Sequence, residues 1–116
     1  MRHRKKQVKL HQRMGPRRAL LRGLAVSVLL HERVRTTSAR ARAVRPLVER
    51  CITIGRESSL VGRRSLLALL NDPRAVAKVL EVIGPKYRTR NGGYTRMTSI
   101  GRRVGDGAPQ TVIELI

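Results

Sequence analysis

Tryptophan and phenylalanine are absent from this chain, and Tyr87 and Tyr94 are its only aromatic residues. A core must therefore be assembled from Leu, Val, Ile and Ala, and stacking on a run of unpaired bases cannot be the main mode of a nucleic-acid contact. Cys51 is the single cysteine, so no intramolecular disulfide can form, in keeping with a reducing compartment. It falls on the apolar stripe of a helical segment, where a core thiol is the default. His3, His11 and His31 do not combine with it into zinc-ligand spacing. Carboxylates are scarce: Glu32, Glu49, Glu57, Asp72, Glu81, Asp106 and Glu114 are the whole set, and none forms a D-x-D or E-x-x-H pair able to hold Mg²⁺ for phosphoryl or nuclease chemistry. Gly105-Asp106-Gly107 lacks the lysine of a phosphate-binding loop and reads as a tight turn. We expect no catalysis, no metal, no cofactor and no small-molecule substrate. No apolar run approaches the ~20 residues of a membrane span. The basic start has no apolar segment behind it, which excludes a secretory signal. It has the composition of a mitochondrial presequence, but Leu20 to Leu30 follow directly as a domain helix, and no cleaved segment is expected.

What the chain has in excess is positive charge. Against 7 acidic residues stand 26 basic ones, for a formal net charge of +19 on 116 residues. Such a balance argues for a polyanionic partner. Only five of the cations are lysines; 21 are arginines, whose planar fork grips phosphate oxygens in bidentate fashion. The cations are clustered. Arg2, His3, Arg4, Lys5, Lys6, Lys9 and Arg13 run into Arg17, Arg18 and Arg22 before any acid appears. Arg35, Arg40, Arg42 and Arg45 follow around Thr36 and Thr37, then Arg88, Arg90 and Arg96 flank an Asn-Gly-Gly turn beside Tyr94, and Arg102 and Arg103 close the series. A single basic residue is by default a solvated one. Clusters with nearly four cations per acid cannot be neutralised by surface pairs.

Beyond Met1, residues 1–15 offer only Val8, Leu10 and Met14 as sizeable apolar side chains, too little to offset an ordering cost of roughly 1–2 kcal/mol per residue. They are expected to be an extended arm, ordered only by an anionic partner such as RNA, leading into one compact domain over 16–116. Pro16 suits a first helical position, and Leu20, Leu21, Leu24, Ala25, Val28 and Leu29 recur at helical spacing. RVRTT, 33–37, alternates as a strand, and Ser38 is placed to cap a second helix with the stripe Val44, Leu47, Val48, Cys51, Ile52. Pro46 interrupts that stripe, so the helix should start near Arg45 or kink there. Gly55 closes it. Ser58 or Ser59 caps a third helix carrying Leu60, Leu66, Leu67, Leu69 and Leu70. Asp72-Pro73 starts a fourth that holds Val76, Val79, Leu80 and Ile83 and stops at Gly84-Pro85. Strands at 94–100 and 111–116 follow. Helices first and strands last make an α+β fold, about four helices packed on a small three-stranded sheet. Thr36, Thr37 and Ser38 place hydroxyls and a helix N-terminus beside Arg40 and Arg42, a phosphate-binding arrangement.

MRHR at the start, KL at 9–10, RVRTTSARARAVRPLVE at 33–49, RNGGYTR at 90–96 and GDGAP at 105–109 stand in the order seen in the bacterial ribosomal large-subunit protein seventeen family, which this chain resembles from end to end. The family pattern usually has Lys where Arg40 and Arg42 stand, and both remain cations. Its Ser-Ser-His run before helix 1 is replaced here by Met14-Gly15-Pro16, so no contact by that histidine is carried over. The resemblance implies a non-catalytic cytoplasmic protein of the large ribosomal subunit that binds 23S-type ribosomal RNA near the nascent-chain tunnel exit and meets neighbouring large-subunit proteins. Composition alone also admits an architectural nucleoid DNA-binding protein, although the chain shows neither a helix-turn-helix with base-reading residues nor an apolar minor-groove wedge on an arm.

Overall fold

The computed structural model describes residues 9–116. Most of the expected arm, 1–8, lies outside the described residues. Lys9 to Gln12 close a turn in which the Gln12 amide donates to the Lys9 carbonyl at 3.0 Å.

Helix α1 (Met14–His31) begins two residues before Pro16. A proline is tolerated there because the first four N–H groups of a helix have no intrahelical partner. The helix ends on Glu32 in the left-handed conformation (φ 63°), which turns the chain at once into strand β1 (Arg33–Thr37). Helix α2 (Ser38–Gly55) runs through Pro46 as one element, so of the two alternatives that Pro46 left open the start near Arg45 is not the one adopted. Pro46 lies on the exposed side. Its missing hydrogen bond is offset by the opposite face, where Ala41, Val44, Val48, Cys51 and Ile52 are fully buried. Leu47, expected on that stripe, is only half-buried.

Ser59, not Ser58, caps α3 (Leu60–Leu70), its hydroxyl accepting from the Gly62 amide at 2.9 Å. Leu66 and Leu70 face inward, whereas Leu60 and Leu67 are exposed, because α3 covers the core with one narrow face. Asp72 caps α4 (Pro73–Lys78) as expected, accepting from the amides of Arg74 and Ala75. The fourth helix does not stop at Gly84-Pro85. It widens into a π-helical turn, Val79–Ile83, and continues as α5 (Gly84–Lys86). Pro85 has no N–H to give, and the Leu80 carbonyl accepts from the Ser58 hydroxyl at 3.4 Å instead.

Strands β2 (Thr95–Arg102) and β3 (Pro109–Leu115) form a hairpin, and β1 joins the other side of β3 in a three-stranded antiparallel sheet of order β1-β3-β2. Val34, Ile113 and Met97 lie in register across it, and a bulge between Ser99 and Gly101 interrupts β2. Four helical rods pack on this sheet, which is the expected α+β class. The core is aliphatic, with Leu29, Ile52, Leu66, Ile83 and Ile113 at its centre and the two tyrosines at one edge. Each fully buried side chain of this kind contributes about 1.5–3 kcal/mol.

Candidate nucleic-acid interface

The expected contact residues distribute over four places. Arg2, His3, Arg4, Lys5 and Lys6 lie outside the described residues. Lys9, Arg13 and Arg18 are exposed around the start of α1, with Arg17 half-buried beside them. Arg13 is the N-cap of α1 and makes no side-chain capping bond. Arg22 is turned inward, its Nε donating to the Leu69 carbonyl at 3.1 Å, so it closes the C-terminal end of α3. Arg18, Arg22 and Arg50 nevertheless line one groove between α1, α2 and α3. Arg50 was not singled out by sequence: one arginine among many on a helix carries no distinguishing mark.

The second place is the start of α2. Thr36 and Thr37 are half-buried, Arg35, Arg40 and Arg42 exposed. Thr37 occupies the N-cap position without a side-chain capping bond. Ser38, expected as the cap, is the first helical residue, and its hydroxyl pairs with that of Thr111 on β3 at 2.6 Å. The positive end of α2 thus keeps unsatisfied amides beside Arg40 and Arg42. Arg40 and Thr36 also form one wall of a shallow groove whose other wall is α1, along Ala19, Gly23 and Ser27. The contrast within the molecule is chemical: α3 and α4 start on side-chain caps, Ser59 and Asp72, while α1 and α2, which start among arginines, do not.

The third place is the turn after α5. Arg88 and Arg90 are exposed, and Gly92 and Gly93 adopt φ values of 102° and 63° that only glycine takes easily. Tyr94 does not face solvent. Its ring is 1% exposed and packs on Tyr87 with centroids 5.2 Å apart. Its hydroxyl accepts from Arg56 Nη1 at 3.1 Å and from Thr53 at 3.4 Å and donates to the Arg90 carbonyl at 3.2 Å. Desolvation pushes that phenol up, but the bonds from Thr53 and Arg56 outweigh it and leave it below its ordinary value. Tyr94 organises the turn from inside.

The fourth place is the β2–β3 hairpin. Arg96 faces Glu114 across the strands at 3.7 Å. Arg102 donates to the Gly107 carbonyl at 3.0 Å, and Arg103 grips Asp106 with two nitrogens. Arg103 and then the Ala108 amide hold the Asp106 carboxyl well below the usual carboxylate range. Arg45 pairs with Glu49 at 3.6 Å on α2. Among the described residues the only other such pair is Arg74–Asp72, so most of the arginines named here have no carboxylate partner. Their spread matters too. An 18-residue helix is about 27 Å long, so the cations at the two ends of α2 cannot share a phosphate. A single partner that met both ends of α2 would have to span that length.

Residues 20–116 match the family model described as ribosomal protein L17. The chain belongs to the ribosomal protein L17 family. Its relatives include the large ribosomal subunit protein bL17 of Thermomicrobium roseum, 50% identical over 116 residues that make up all of this chain and 99% of that protein. The bL17 of Fusobacterium nucleatum is 42% identical over the full length of both chains, and that of Syntrophotalea carbinolica 42% identical over all of this chain and 75% of its own. These L17 relatives match residues 1–15 as well as the rest, so the basic N-terminal sequence is aligned along with the fold. No group of three or more metal-ligating side chains occurs among the described residues, and no described helix is long and apolar enough to cross a membrane.

Proposed function

We propose that this chain is a structural constituent of the large ribosomal subunit that binds 23S-type ribosomal RNA and supports subunit assembly and translation. Membership in the L17 family supports the subunit, its cytoplasmic setting and a place near the nascent-chain tunnel exit, with neighbouring large-subunit proteins as further partners. The observation that carries RNA binding is the pairing of uncapped helix starts with carboxylate-free arginines: Arg13, Arg17 and Arg18 at α1, Arg35, Arg40 and Arg42 at α2. Both are arrangements in which backbone amides and guanidinium groups converge on phosphate oxygens. Arm residues 1–15 extend that surface, and the domain over 16–116 presents it. Lys9 begins the described part, Arg102 adds a cation at the sheet end where α2 starts, and Arg88 and Arg90 add theirs beside the C-terminal end of α2. Arg45, Arg96 and Arg103 contribute less, being already paired. The function asks for no catalytic group.

The test is a competition. Binding of the full chain to a folded 23S-type ribosomal RNA fragment and to duplex DNA of equal charge is measured by anisotropy at matched salt. Preference for the RNA, lowered when Arg40 and Arg42 are both replaced by Ala, is the expected result. Equal affinity for the two would favour a DNA-architectural role instead.

A further inference from the structure

Arg56, at the C-terminal end of α2, is the one arginine among the described residues whose guanidinium gathers a whole loop. Nη2 donates to the Arg88 carbonyl at 3.0 Å and to Asn91 Oδ1 at 3.1 Å, and Nη1 donates to the Tyr94 hydroxyl at 3.1 Å. None of these acceptors is a carboxylate. Its Nε is buried with no partner, so the side chain is committed to this place despite an incomplete set of bonds. The Tyr94 hydroxyl passes the connection on to the Arg90 carbonyl. The main-chain carbonyls of both Arg88 and Arg90 are thereby drawn toward one cation, and their side chains are left exposed without acidic partners. Otherwise the stretch is held by local bonds alone: the Arg90 amide donates to the Tyr87 carbonyl at 3.0 Å, the Arg88 amide to Pro85 and Arg90 Nε to Gly92, both at 3.4 Å, and two glycines follow in left-handed conformations.

We infer that Arg56 is a positioning residue for RNA binding, which acts by presetting the Arg88–Gly93 loop so that Arg88 and Arg90 meet phosphates without a further ordering cost. The inference rests on the RNA-binding reading above and assigns Arg56 no contact with RNA. A loop ordered at folding does not have to be ordered at binding, which is how preorganisation raises affinity.

The experiment is a mutant cycle on the full chain, with affinity for the ribosomal RNA fragment measured over a salt series. Arg56→Met keeps the aliphatic stem and removes the guanidinium. It should weaken binding by the same factor as Arg88→Ala/Arg90→Ala together and flatten the salt slope by about 1 for each phosphate no longer engaged. The triple variant should be no weaker than the double. Arg56→Lys should not rescue, since one ammonium on a flexible stem lacks the fork that spans three acceptors. Amide exchange over 88–93 should quicken in Arg56→Met and stay unchanged in the double variant. Wild-type affinity for Arg56→Met, or losses that simply multiply in the triple, would overturn the inference. Should Arg56→Met fail to fold, Asn91→Ala and Tyr94→Phe remove two of its three acceptors instead; undiminished binding with unchanged exchange in both would refute it equally. Failure of the wild-type chain to prefer RNA would sink the functional reading, while the exchange comparison would still decide what Arg56 does to the loop.

Discussion

Gly84 sits where no side chain fits. A Cβ built on it would lie 2.3 Å from the Gly55 carbonyl oxygen, because α5 crosses the end of α2 backbone to backbone. Gly84→Ala should therefore destabilise the fold by about 1–3 kcal/mol, as overpacking does. Gly23 is the opposite case: it lies inside α1 with nothing within 4 Å of an added Cβ, and Gly23→Ala should stabilise by about 1 kcal/mol. Urea midpoints of the two variants check both signs. Cys51 offers a second test. Burial pushes its thiol up to about 11, with Arg50 pulling weakly the other way. The folded state thus favours the neutral thiol. Its contribution is complete below the thiol's ordinary value of 9.0 and fades as pH rises toward 11. At pH 8 labelling of Cys51 by a thiol reagent should wait on unfolding; rapid labelling of native protein would contradict its place in the core.

At the scale of elements, the arm and the domain should separate. The buried core begins at Ala25, and none of residues 9–13 belongs to it. Deleting residues 2–13 should leave the melting temperature nearly unchanged while ribosomal RNA affinity falls. Leu66→Ala, at a fully buried position of α3, should do the reverse, costing about 2–5 kcal/mol of stability with binding by the remaining folded protein intact. Calorimetry and anisotropy on the same two variants read the division directly. Loss of folding on arm deletion would show that the arm is part of the globule. These elements were largely legible from the chain: the stripe from Val44 to Ile52 and the Asp72-Pro73 start are local patterns. The helix through Pro85 was not, because its continuation depends on Ser58 reaching Leu80 from another element.

Over the whole molecule, salt should act with opposite signs on two quantities. With four ion pairs among the described residues and a net charge of +19, the free protein repels itself. Raising salt screens that repulsion and should raise its melting temperature. The same change should weaken RNA binding, by roughly 10³–10⁵-fold between 50 and 200 mM if about 6–10 phosphates are engaged, on the duplex-DNA scale. A salt-insensitive affinity would mean that contacts other than phosphate dominate.

Composition and local pattern were enough for the aliphatic core, the helix start at Asp72 and the strands, and they narrowed the start of α3 to Ser58 or Ser59, since each follows from composition or from spacing along a few residues. They could not separate arginines that face outward from those turned in. Arg22 closing α3, Arg56 gathering a loop, Tyr94 buried behind it and Ser38 paired with Thr111 are all settled by residues 32 to 73 positions away. A side chain's direction depends on which acceptors the fold brings within reach, and that proximity exists only once distant segments have packed.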